Sequence, residues 1–225
     1  MMIKQYGRIG MVLALGCLLA GRLVASDVTL AEKGEAACVI VVAPGVLTWE
    51  GDAKLADRWG RIPGLSALEV ADEMQRRLQR DSVSDLAHYL GKMSGTTIEV
   101  IEGAAGKGKR LPIYIGSVAE NVFGRVGISK AGKFGFRVVA SGKGIGLYGE
   151  SEYGTSYAIY ELLHRLGCRW FMPGELGEVI PSSPTLTVPV MDEKRAPVTE
   201  WRRMESRTAD AGFRQRNRMD RLHRR

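Results

Sequence analysis

Cysteine and histidine are scarce in this 225-residue chain, with three of each scattered at Cys17, Cys38, Cys168, His88, His164 and His223. No C-x-x-C pair occurs, which argues against a zinc site, and no metal or other cofactor is expected. A G-x-S-x-G nucleophile turn is also missing, and His164 falls in the last turn of a helical pattern, where a positive charge suits the helix dipole. The chain has no internal repeat. Long apolar runs are absent: MVLALGCLLAG, residues 11–21, is roughly half of the ~20 residues a membrane span needs, so no span is expected.

That short run follows Lys4 and Arg8 and precedes small residues at Ala25 and Ser26, the pattern of a cleaved export signal over residues 1–26. Ala14 stands where a lipidated cysteine at Cys17 would want Leu, so ordinary cleavage and a periplasmic or extracellular location are expected. Two cysteines then remain. An oxidising compartment allows Cys38 and Cys168 to pair, but both lie in apolar, strand-like runs, and two buried free thiols is the expected state.

A balanced charge is also missing, and the net +7 misleads. Lys4, Arg8 and Arg22 belong to the export signal, and residues 201–225 hold nine Arg against Glu205, Asp210 and Asp220. The body from 27 to 200 is therefore mildly acidic, and the basic character belongs to one tail. Such a tail admits electrostatic binding of nucleic acid or acidic polysaccharide. Against this, Trp201, Met204, Phe213, Met219 and Leu222 interleave with the arginines as in a folded segment. An exported protein meets little nucleic acid, and none is expected as a partner.

What is present is a mixture of periods. VTLAEKG, ACVIVVAPG, TTIEVIEG, LPIYIGS, FGFRVVA and IGLYG read as strands, the second of them central; CRWFMPG, GEVIP and TLTVPV add short ones. One helix is expected with Leu68, Val70, Ala71, Met74 and Leu78 on a face, and a second from about Ser82 with Val83, Leu86, Ala87, Leu90 and Met93, stopped by Gly95. YGTSYAIYELLHRLG is a further amphipathic helix, and SVAENVFGRVG a short helix or turn. Residues 45–66, with Trp49 and Trp59, keep no period and read as a surface excursion. The irregular alternation of strands and helices, with hairpins, predicts an α+β fold: a mixed sheet with helices packed on one face.

Gly144, Gly146 and Gly149 spell G-x-G-x-x-G, the fingerprint of a dinucleotide turn. The surrounding residues oppose that reading. Ile145 and Leu147 alternate with the glycines along a strand, Glu150 and Glu152 stand where pyrophosphate would bind, and no acidic residue closes the next strand at the right distance. The glycines are expected instead to let the strand lie close under the following helix, with Glu150 and Glu152 capping that helix.

Taken together, Gly154, Tyr157, Ala158, Tyr160, Leu163, Gly167-Cys168-Arg169-Trp170 and Pro173-Gly174-Glu175 form an ordered set. With LAHYLGKMSGTTIEV and LPIYIGS upstream, the set resembles the N-terminal domain of the family 67 α-glucuronidases and related large secreted glycoside hydrolases. The resemblance covers roughly residues 84–190 and implies a domain like the second domain of β-hexosaminidases, packed against a catalytic (β/α)8 barrel. It implies that residues 27–190 are an accessory domain, and that 191–225 are a linker and the start of a barrel needing about 250 residues.

Glycoside hydrolysis needs two carboxyl groups flanking one bond. Glu150 with Glu152, and Glu175 with Glu178, are the candidate pairs, but neither has neighbours that would raise one pKa, so no catalytic residue is expected. Tyr153, Trp170, Glu175, Trp201 and Arg202 are the candidates for contact with polysaccharide or barrel; most aromatics of the 148–171 segment are expected in the core. The function expected is bracing a catalytic barrel in xylan-like polysaccharide breakdown. The alternative is a free-standing carbohydrate- or polyanion-binding module.

Overall fold

The computed structural model describes residues 27–47, 64, 66–106, 108–128, 133–198 and 211–219. Residues 1–26, read as an export signal, most of the 45–66 excursion, Trp201 and Arg202 lie outside the described residues. In chain order the strands are β1 (Val28–Glu32), β2 (Glu35–Ala36), β3 (Cys38–Val42), β4 (Val100–Glu102), β5 (Leu111–Ile115), β6 (Phe136–Ser141), β7 (Gly144–Gly149), β8 (Arg169–Trp170), β9 (Glu178–Val179), β10 (Leu186–Val188) and β11 (Met191–Arg195). The helices are α1 (Ala67–Ser94), α2 (Ser117–Phe123), α3 (Glu152–Arg165) and α4 (Ala211–Arg216). None of the described helices is long and apolar enough to cross a membrane.

The fold is α+β. Six strands form a mixed sheet in the order β11-β6-β7-β5-β3-β4, with β10-β1-β2 as a second sheet and β8-β9 as a short ribbon. Strands β7, β5, β3 and β4 run parallel, whereas β6 and β11 add antiparallel pairs at one end. Strand alternation assigns the two faces. Ile113, Ile115, Val138, Ala140, Ile145 and Leu147 share the main core with the long helices α1 and α3. Each of the buried Ile, Val and Leu side chains stabilises the fold by about 2 kcal/mol. Tyr114, Val139 and Tyr148 instead pack with Ala119, Phe123 and Val126 around the short α2. Helices therefore cover both faces, and the one-face expectation holds only for α1 and α3.

Helix α1 is one continuous helix where two were expected. The second helix was expected from about Ser82, but Ser82 Oγ donates to the Leu78 carbonyl at 2.8 Å and meets Ser156 Oγ of α3 at 2.7 Å. The hydroxyl is satisfied inside the helix pair, so the backbone need not turn. A capping box starts the helix, with Ser66 and Glu69 bonding each other's backbone, and Gly95 ends it at φ 78°.

The glycine fingerprint proves to be a close-approach device. A Cβ at Gly149 would lie 2.4 Å from Gly154 Cα, and one at Gly154 would lie 2.3 Å from the Gly135 carbonyl oxygen. The end of β7 thus touches the first turn of α3, as expected for a strand under a helix. Ser151, not Glu150 or Glu152, caps α3: its Oγ accepts from the Tyr153 and Gly154 amides.

Residues 191–195, read as linker, form the edge strand β11 on β6. MDEKR carries no apolar alternation, because this edge is held by backbone pairing and by charges such as Arg137, whose guanidinium holds both oxygens of Asp192 at 2.7 Å.

Candidate functional site

The carboxylates proposed as catalytic pairs are kept occupied or apart. Glu150 accepts the Ile128 amide at 3.0 Å and lines an open cleft of about 480 Å³ with Glu120, Arg125 and Val126. Neither Glu175 nor Glu178 lines that cleft. Glu175 opens an exposed 3-10 turn between β8 and β9. Glu178 faces the helices, where it accepts Tyr89 Oη–H at 2.5 Å. Among the described residues no group of three His, Cys, Asp or Glu is placed to hold a metal ion.

The aromatic candidates divide. Trp170 is buried, donating its indole N–H to Tyr89 Oη at 3.1 Å and meeting the Tyr89 and Tyr160 rings edge-on. It is a core residue rather than a surface for sugar. Tyr148, Tyr157 and Tyr160 are also buried, whereas Phe171 is 72% exposed. Tyr153 is half-buried at the start of α3, under the Lys133 ammonium and edge-on to Phe134. Both cysteines are free and buried, with burial pushing the Cys38 thiol up to about 12 and the Cys168 thiol up to about 11. Neither forms a thiolate near neutral pH.

The densest polar constellation went unnoticed in the sequence. Asp85 of α1, Glu161 of α3 and Glu178 of β9 receive arginines from the C-terminal segment. Arg216 donates to Asp85 Oδ2 at 2.9 Å and to Glu178 Oε1 at 3.1 Å, and its guanidinium lies over the Tyr89 ring at 5.4 Å. Arg218, at φ 55°, reaches Glu161 Oε2 at 2.5 Å. Gln215 is buried, donating to the Leu78 carbonyl and to Ser82 Oγ, both at 2.8 Å. Asn217 donates to the Trp170 carbonyl at 3.2 Å, and Phe213 is buried in the main core.

Burial penalises charge at this constellation, and the pairing answers it. Desolvation opposes ionisation of Glu161, but hydrogen bonds from Arg218 and Arg165 outweigh it and hold the carboxyl below its ordinary value. Burial likewise opposes the charge on Arg216, while hydrogen bonding to and attraction by Asp85 raise its pKa. His164 is different: burial, then the nearby Arg218 and Arg169, push its pKa down to about 4. It is neutral near pH 7, so the expected favourable interaction of a charged histidine with the helix dipole is absent. The readable signals were an acid, Glu161, inside the apolar stripe of α3, and Asp85 with Tyr89 one turn apart on α1. The alternation of Arg214, Arg216 and Arg218 registered only as net charge.

No family profile and no curated protein matches the sequence. In fold, the chain is similar to a solved family GH115 4-O-methyl-α-glucuronidase described as having specificity for decorated arabinogalactans. The TM-score is 0.51 at 15% identity, covering 86% of this chain and 25% of that one. The chain thus spans a quarter of the neighbour's length and shares the fold of part of a glycoside hydrolase.

Proposed function

We propose that this chain is an exported, non-catalytic accessory domain of a glycoside hydrolase of the α-glucuronidase type, and that it braces a catalytic barrel which supplies the reactive carboxylates. The observation that carries this reading is the fate of the acids. Asp85, Glu161 and Glu178, carboxylates with little exposure around the helices, are each tied to arginine, as is Glu73 of α1. Glycosidase chemistry needs one carboxyl protonated and another free beside the same bond. The fold match to a quarter of a much larger glucuronidase, together with the G-C-R-W and P-G-E elements, supports the same assignment.

The purified chain is expected to release no uronic acid from glucuronic-acid-decorated xylo-oligosaccharides or arabinogalactan. Release that disappears in Glu150→Gln or Glu175→Gln would overturn the reading. Affinity electrophoresis through xylan and pectin separates the brace from a carbohydrate-binding module: free migration favours the brace, and retardation favours the module.

A further inference from the structure

We infer that the face formed by Asp85 of α1, Glu161 of α3 and Glu178 of β9 is a receptor for a short arginine-bearing helical turn, and that residues 211–219 are a detachable clip seated in it. The inference rests on the brace reading, for which it supplies the fastening between the domain and the chain leaving it.

The receptor is preformed. With the clip removed, Glu161 keeps Arg165 at 3.0 Å and Arg195 at 2.8 Å, both from the body of the domain. Glu178 keeps the Tyr89 hydroxyl at 2.5 Å and Lys92 at 3.6 Å, and Asp85 keeps the Tyr160 hydroxyl at 2.8 Å. Each carboxylate thus keeps a hydrogen-bond donor when the segment departs; Glu161 and Glu178 also keep a cation, while Asp85, its side chain already 19% exposed, exchanges Arg216 for water. The rest of the seat is equally part of the body: the Leu78 carbonyl and Ser82 Oγ that read Gln215, and the Trp170 carbonyl that reads Asn217.

The seat also selects its ligand. Arg216 bridges two carboxylates on different elements while its plane covers Tyr89, a task for a flat guanidinium that a lysine ammonium does not perform. Arg218 turns through positive φ so that its side chain reaches Glu161 on the neighbouring helix. Phe213 provides the apolar anchor. The fitting partner is therefore a turn carrying Phe-x-Gln-Arg-x-Arg, whose charge complements the acids of the face.

The test uses the full chain with its own clip disarmed by Arg216→Glu and Arg218→Glu, and a fluorescein-labelled peptide of residues 209–221. Anisotropy is expected to show the peptide binding the disarmed chain at least ~10-fold more tightly than the wild type, where the resident segment competes, and weakening as salt is raised. A peptide with Lys at both arginine positions is expected to lose most of the binding. Equal binding to both chains, no binding to a disarmed chain that circular dichroism shows folded, or full binding of the lysine peptide would each overturn the inference. If the disarmed chain does not fold, native-state hydrogen exchange on the wild type decides. Opening of the Asn217, Arg218 and Met219 amides separately from α1 supports a clip, and opening together with α1 sinks it. Uronic acid release is a separate readout, so failure of the clip and failure of the brace reading are told apart.

Discussion

The main sheet under α1 and α3 and the seat of the C-terminal segment lie side by side, yet they are held by opposite means. Beneath the helices, Leu86, Leu90, Ile159, Leu162 and Leu163 are fully or almost fully buried against strands of alternating apolar residues. At the seat, arginines meet carboxylates and amides meet carbonyls, with Phe213 as the main apolar anchor. Apolar burial is non-directional and roughly additive in area, so it tolerates small shifts. Paired buried charge contributes little net stability but a defined geometry, and it fails sharply when one partner goes. One region therefore sets whether the chain folds, and the other sets what is attached to it.

The comparison can be broken from its strongest side first. Gly149→Ala places a Cβ against the Gly154 backbone, which has no side chain to move aside. A loss on the order of 4 kcal/mol, or failure to fold, is expected in thermal denaturation; a melting temperature near wild type would show that β7 and α3 do not touch. Leu163→Ala, at a fully buried site, should cost about 3 kcal/mol by urea denaturation. Glu161→Gln removes the acid that Arg165, Arg195 and Arg218 share, and should cost about 2 kcal/mol while loosening residues 211–219 in hydrogen exchange more than the sheet.

His164 gives a pH signature. The unfolded chain takes up a proton below about 6.5 and the folded chain only near 4, so stability should fall as pH drops through that window and level off below it. His164→Asn should flatten the slope; an unchanged profile would mean that the imidazole is solvated. Smallest of all, Arg195→Ala, with its side chain 47% exposed, should change the midpoint by less than ~1 kcal/mol.

These regions also differ in how far the sequence disclosed them. Val83, Leu86, Leu90 and Met93 announced the buried stripe of α1 by their spacing, and Ile113, Val138 and Leu147 announced strands by alternation with their neighbours. The free cysteines and the close glycines were legible for the same reason: their neighbours left one apolar or one steric solution. Strand β11 was not, because an edge strand with charged side chains has no apolar period to betray it. The continuity of α1 hinged on Ser82 meeting Ser156, a contact 74 residues away in sequence. The seat of Arg216 needs Asp85 and Glu178 together, and no local pattern joins positions so distant. Trp170 matched an aromatic platform in composition, yet its burial depends on Tyr89 and Tyr160 standing on two other elements.

Strand β1 takes Val188 as the partner of Val28, and Leu186 as the partner of Ala31. Strand β2 pairs with β1 from a few residues away, but a ribosome must deliver almost the whole domain before β1 gains its second neighbour. Loop closure over that span makes the step slow relative to helix formation. Until it happens, one edge of β1 stays unpaired, and the small sheet is closed only when the two ends of the domain meet.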